Sequence, residues 1–457
     1  MSANQKTTAA LLDIATRVVD EAKKRGAQVA EAVAREGQDL SAKVRLGEPE
    51  LVEEAANRSF GLRVIVDDRS ATTYTSDATP AGLRALVDDA IELARLSEAD
   101  PLSRPPDPSE LAKDLPPMDL FDESVLRIDG KTAIDLAIAA EKAARGFDPR
   151  ISNSEGASFG RTIGHYALVT SGGFSGAYSG TFVMLSAEPV AEEAGGKKQV
   201  GSYWDSKRYW SELESAEAIG QEAARRTVAK LGTKKPSTGE MPVVFHPDAA
   251  SSLLGLFLGC VSGGAIYRRS SYLCGREGSS VGASELTITD DPLIPRGPGS
   301  RPFDGEGLRS RRNVIVDRGA LKSYLLDTYS ARKLGKTSTG NASRGTGGPP
   351  GVAATNFVLS AGSASREEII RGVDRGIFVT SMMGFGFNAV TGDFSRGAEG
   401  FFIEKGQLAG PFSEATVSLN FDELLKRIDA IGSDLVLRGK VAAPTLRVSR
   451  MTVAGGQ

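Results

Sequence analysis

Histidine is nearly absent from this chain: His165 and His246 are the only two in 457 residues. A histidine-based zinc protease needs two histidines on one helical face, a glutamate to activate water and a third ligand from elsewhere. Ala250 stands four residues after His246 and Val169 four after His165, so neither belongs to an HExxH site. His246 lies beside Pro247 where a strand ends, His165 within an alternating strand, and both read as structural or exposed residues. Cysteine is equally scarce. Cys260 and Cys274 make no disulfide framework and suit a reducing, cytoplasmic compartment. No aspartate–glycine calcium loop stands out. No apolar run approaches the ~18 residues of a membrane span. Asp13, Arg17 and Asp20 interrupt the apolar pattern at the N-terminus, so no signal peptide is expected. A net charge of −3 gives no global field for nucleic acid.

What is present is ordinary globular material, 40% hydrophobic and 25% charged, in a chain long enough for two or three domains. Leu11, Ala15, Val18, Val19 and Ala22 follow helical spacing, and Gly26 stops that helix. "VAEAVARE", "LSAKVRL", "FGLRVIVDD" and "ATTYTSD" read as four strands of an antiparallel meander. Thr79 followed by Pro80 opens a helix to about Leu96, and a second runs from about Lys131 to Arg145. More strands follow, and Ser211 with Glu214 forms a capping box for a helix ending near Leu231. Helix, strands, helix thus occur twice. Gly232 to Glu240 is the expected boundary between an α+β domain (1–235) and a mostly antiparallel β domain with short helices (236–457). In the second domain, hairpins turn at Asp317-Arg318-Gly319 and at Lys405-Gly406. Ser365 with Glu368 boxes one helix, and Asn420 with Glu423 caps another covering "FDELLKRIDAI".

The stretch Pro242 to Leu273 reads as a strand running into a helix that ends at a double glycine, with one histidine at its start. Cys260, within that helix, reads as a small buried residue, since a nucleophile needs a base nearby and only two histidines exist. "GFGFNAVTG" lacks the Gly-Lys-Ser/Thr of a P-loop, and its glycines read as turns and bulges. Asp393, Ser395 and Arg396 form either the polar wall of a peptide groove or, the favoured reading, a turn pinned by an Asp–Arg pair. Arg309, Arg311 and Arg312 read as a solvated strand edge or partner contact.

Four C-terminal segments carry a resemblance: "GGAIYRRSSYL", "RPFDGEGLRSRRNVIVDRGALKSYLLDTYSARKLGKTSTGNA", "GFGFNAVTGDFSRGAEGFFIEKGQL" and "IGSDLVLRGKVAAPTLRVSRMTVAGG", supported by "GLRVIVDDRSATTYTSD". Together they resemble the TldD/PmbA proteins, once called modulators of DNA gyrase and understood as cytoplasmic metalloproteases. The likeness is to the PmbA (TldE) branch. In the TldD branch the corresponding helix carries HExxxH. Here Gly255, Leu256 and Cys260 stand at those positions, and "LRGKVAAP" lacks the cysteine ligand of the TldD loop. The resemblance therefore implies a chain without its own metal or catalytic residues. Its partner is a TldD-type catalytic subunit that holds the zinc, and the pair acts on extended peptides. Such pairs degrade unfolded peptides or trim leader peptides from modified precursors. The alternatives are a self-sufficient homodimeric peptidase and a non-proteolytic regulator, for example of gyrase.

Overall fold

Leu11, Ala15, Val18, Val19 and Ala22 are all buried along one side of α1 (Ala3–Lys24), the first helix of a computed structural model that describes residues 2–193 and 195–455. Gly26, at φ +95°, turns the chain into β1 (Val29–Arg45). β1 pairs antiparallel along its length with β2 (Glu48–Val66), which passes to β3 (Arg69–Thr75) through Asp67 and Asp68, both at positive φ. The meander therefore has three strands, not four. Gly37 does not break β1, because it is paired on both sides, with Asn57 and with Gly164. α2 (Pro80–Leu96) starts as expected, with the Thr79 hydroxyl accepting from the Gly82 N–H at 3.1 Å.

α3 (Gly130–Arg145) leads into the long hairpin of β4 (Ile151–Thr170) and β5 (Ser175–Glu192). β6 (Lys198–Val200) and β7 (Tyr203–Lys207) both pair with β5, giving the order β3-β2-β1-β4-β5-β6. α4 (Ala216–Ala229) begins later than the capping-box reading placed it. Ser211 lies in a short 3-10 turn, and Ser215 is the cap, accepting from Ala218. Glu214 is unavailable to a box at Ser211, because it accepts the Tyr203 hydroxyl at 2.7 Å. Alternation decides which face of the sheet the helices cover. Ala30, Ala32 and Ala34 pack against α1 and α2, whereas Leu40, Ala42 and Val44 pack against α3. All six have the same parity, so the helices share one face. Val33 points to the other, where it meets Phe303 from the C-terminal half.

β8 (Gly239–Phe245), α5 (Pro247–Val261) and α6 (Gly263–Tyr267) open that half. β9 (Ile288–Asp290), β10 (Asn313–Asp317) and β11 (Ala320–Leu321) follow, the last two joined by Arg318 and Gly319 at positive φ. α7 (Thr328–Lys333), β12 (Ala342–Ser343), β13 (Gly351–Val352), β14 (Phe357–Leu359) and α8 (Arg366–Arg371) connect to the hairpin strands. These are β15 (Arg375–Met383), β16 (Asp393–Glu404) and β17 (Gln407–Asn420), with Lys405 and Gly406 at the second turn. α9 (Phe421–Lys426), β18 (Ile428–Ile431), β19 (Val441–Ala442) and β20 (Leu446–Ala454) complete the chain. The larger sheet runs β17-β16-β15-β8-β20-β18, and β17 also pairs with β20, closing five strands into a ring. The smaller one runs β11-β10-β9-β14-β19. Most pairings are antiparallel, β8–β15 and β14–β19 being parallel.

The box at Ser365 and Glu368 is formed. The helix after Asn420 is shorter than its pattern. It ends at Lys426 because Ile428–Ile431 joins β20 as an edge strand, and Asn420 accepts from Asp422 without a Glu423 box. Arg309, Arg311 and Arg312 are exposed as expected, but they precede β10 and do not form a strand edge. No helix among the described residues is long and apolar enough to cross a membrane.

Candidate functional site

Val243, Val244 and Phe245 are fully buried in β8, and the chain leaves that strand at His246. The His246 N–H donates to the Val379 carbonyl at 2.9 Å, and its ring Nδ1 accepts the Asp248 N–H at 3.2 Å, capping α5. The ring also packs edge-on against Phe378, with centroids 5.9 Å apart. Burial opposes ionisation of Asp248, but His246 and Arg226 beside it hold its carboxyl well below the usual range. His246 is thus a capping residue. His165 lies in β4, hydrogen-bonded through Nδ1 to Ser179 at 2.8 Å, and burial lowers its pKa. The two histidines are not brought together.

α5 has a buried and an open side. Leu253, Leu254, Phe257, Cys260 and Val261 enter the core of the C-terminal half. Ser252 and Gly259 are exposed, and Gly255 and Leu256 are half-exposed. A Cβ placed on Gly255 or Gly259 would meet nothing within 4 Å. The structure thus brings Gly255 and Leu256 to the open side and turns Cys260 inward. Burial pushes the Cys260 thiol up to about 11, so at neutral pH it is neither a thiolate ligand nor a nucleophile. Ser252, Gly255, Leu256 and Gly259 offer a zinc ion no histidine, carboxylate or thiolate, and the residues present do not fit that metal there. Among the described residues, no three His, Cys, Asp or Glu side chains are grouped to hold a metal.

The N-terminal end of α5, α4 and the β15–β17 strands surround a groove of about 990 Å³. Its walls carry paired charges, Lys230 with Glu399 at 2.7 Å and Arg226 with Asp248 at 3.0 Å. Asp393, Ser395 and Arg396 begin β16, and none of the three is among the described residues that line the groove. The pinned-turn reading of these three fails: among the described residues Asp393 and Arg396 form no ion pair. Asp393 accepts from Asn420 at 3.0 Å and from Thr391, whereas Arg396 donates to the Gly384 carbonyl at 2.8 Å and to Ser252 at 3.4 Å. Strand alternation turns Asp393 and Ser395 one way and Arg396 the other, so only Arg396 reaches α5.

Two buried acids escaped the sequence reading. Asp304 accepts from the backbone N–H groups of Glu306, Leu308 and Ala342. Glu306 accepts from the N–H and hydroxyl of Thr328 at 2.9 and 2.6 Å. Burial, with Asp304 nearby, pushes the Glu306 carboxyl from 4.5 up to about 8. The signal was the Asp-Gly-Glu-Gly run at 304–307, two acids too close together to stay ionised if buried. Between those pH values the folded chain holds a proton that the unfolded chain has released, so stability falls as pH rises through the window. Glu306→Gln is expected to remove much of that fall, making the variant more stable at pH 8 by on the order of 2 kcal/mol. Denaturant unfolding from pH 5 to pH 9 reads it, and identical pH dependence in both proteins would refute it.

Comparison with known proteins places this geometry. Residues 30–94, 123–231 and 238–455 match models described as PmbA/TldA metallopeptidase domain 1, central domain and C-terminal domain. The chain is 35% identical over 416 residues to "Metalloprotease PmbA" of Escherichia coli O157:H7, covering 91% of this chain and 90% of that protein. It is 32% identical over 438 residues to the "Metalloprotease PmbA homolog" of Haemophilus influenzae, covering 96% and 94%. A crystal structure from Bacteroides thetaiotaomicron, described as a modulator of DNA gyrase, superimposes with a TM-score of 0.90 at 29% identity over 97% of this chain and 98% of that one.

Proposed function

The chain belongs to the PmbA/TldD family, and from that premise we propose that it is the subunit without metal in a two-chain zinc metalloprotease, PmbA/TldE-like in role. The observation that carries the reading is α5. Its buried side is retained as packing, and its open side at Ser252, Gly255, Leu256 and Gly259 holds no ligand and no base. In this reading zinc and catalysis reside in a TldD-type partner. Residues 1–235 supply the main assembly surface, to which the exposed Leu46, Leu51 and Val52 at the end of the β1–β2 hairpin contribute. The substrate is an extended peptide, unfolded or a leader segment, and Arg396 stands at the rim where it would pass α5. The complex works in the cytoplasm.

Elemental analysis and peptidase assays on each subunit and on the mixture test this. This chain alone is expected to bind no stoichiometric zinc and to cleave nothing, and the mixture to be active and chelator-sensitive. One zinc per chain in this protein alone, with activity lost on mutating His246 or His165, would overturn the reading. A partner equally active without this chain would point instead to a regulator.

A further inference from the structure

The face of the N-terminal sheet turned away from α1–α4 carries a second cavity, of about 470 Å³, covered by segments of the C-terminal half. Strand register builds its floor. Arg35 of β1 is paired with Tyr166 of β4, and Tyr166 with Tyr178 of β5. Phe303 packs edge-on against Tyr178, centroids 5.4 Å apart, and the Arg35 guanidinium stands 5.6 Å over the Tyr166 ring. Arg301, Arg344 and Lys440 come from the covering segments, and Arg208 lies stacked 4.2 Å from the Phe182 ring.

The charges in this cavity do not cancel. Five cationic side chains line it, against the acids Glu36, Asp39 and Asp304. Glu36 is engaged by Arg58, Asp39 by Thr162 at 2.8 Å, and Asp304 by backbone N–H groups. Among the described residues Arg35, Arg208, Arg301 and Lys440 have no carboxylate within ion-pair distance. Arg344 shares Glu31 with Arg63. Burial and the charges of Arg301, Arg208 and Arg35 depress the Lys440 pKa, while the Arg301 charge is also felt by Asp304.

Hydrogen bonding is unfinished at the same place. The buried Nε and Nη2 of Arg301, Nε and Nη1 of Arg344 and the Tyr166 hydroxyl have no partner within the protein. Arg344 is only 7% exposed and Tyr166 only 8%. Buried donors are ordinarily satisfied, and each one left open is destabilising, more so when charged. The Nε and Nη2 of one guanidinium form a side-on fork that fits two oxygens of one oxyanion.

We propose that this cavity binds a phosphate group, free or carried on a small molecule. A dianion answers the several uncompensated cations better than a singly charged carboxylate does. The volume suits a small molecule, and the aromatic floor gives an apolar body a surface to lie on.

Calorimetric titration of the full chain at constant ionic strength tests the site, with inorganic phosphate, adenosine monophosphate and acetate as probes. Phosphate or the monophosphate is expected to bind and acetate not to. Tighter binding of inorganic phosphate assigns a free-anion site, and tighter binding of the monophosphate a carried phosphate. Lys440→Gln removes one charge, and Arg301→Lys keeps the charge but loses the fork. Each should weaken binding about tenfold or more. Arg301 makes only a backbone hydrogen bond within the protein, to Pro292, and Lys440 has no ion pair, so both variants are expected to fold. Circular dichroism checks this, and either variant alone suffices for the comparison. Three results would overturn the proposal: no heat from either phosphate probe at millimolar concentration, acetate binding as tightly as phosphate, or folded variants that bind as the parent does.

Discussion

Glu31→Gln is expected to destabilise the chain by about 3–5 kcal/mol, the usual penalty for removing one partner of a buried ion pair. Glu31 is 1% exposed and accepts from Arg63 at 2.7 Å and from Arg344 at 2.6 Å. Arg63 belongs to β2, next to β1, whereas Arg344 follows β12 in the C-terminal half, so one carboxylate ties the halves together. Glutamine keeps the shape but leaves two buried guanidiniums facing each other without a counter-charge. Burial alone would raise the Glu31 pKa, but Arg344 and Arg63 outweigh it and lower it from 4.5 to about 2. The folded carboxylate is therefore the better-held charged form. Its stabilisation is complete above about 4.5 and is lost as pH falls from there through about 2. Denaturant titrations from pH 3 to pH 7 should show the parent losing stability on acidification and the variant losing less. A variant within ~1 kcal/mol of the parent at pH 7 would show that the pair contributes little net stability.

The second large effect separates the two sides of α5. Phe257→Ala is expected to cost about 3–5 kcal/mol, because Phe257 is 1% exposed within the C-terminal core and its removal leaves a cavity. Gly255→Ala, two residues away, should be neutral or stabilising by up to ~1 kcal/mol. Its new Cβ enters open space, and alanine is the better helix former. Equilibrium unfolding measures both. The same pair of variants, mixed with a TldD-type partner, also tests the functional reading. Gly255→Ala should retain peptidase activity. A folded, assembled Gly255→Ala complex that has lost activity would mean that the open side of α5 contacts the reacting peptide.

Some of this protein was decided by residues near one another in sequence. Thr79 and Pro80 start α2, Ser365 and Glu368 start α8, and Arg318-Gly319 and Lys405-Gly406 turn their hairpins, because cap and turn energies depend on side chains and φ angles within a few positions. The scarcity of histidine and the ligand-free stretch from Ser252 to Gly259 were likewise legible, since chemistry needs particular side chains whatever the fold. Other features were decided by tertiary structure. β1 runs unbroken through Gly37 because strands on both sides continue the ladder. α4 starts at Ala216 because Tyr203 claims Glu214, and α9 stops at Lys426 because β20 offers Ile428–Ile431 an edge. The raised Glu306 carboxyl and the meeting of Arg35, Arg208, Arg301 and Lys440 in one cavity belong to the same group. Each depends on desolvation or on groups far apart in the chain, and both exist only once the sheet and its covering segments have packed.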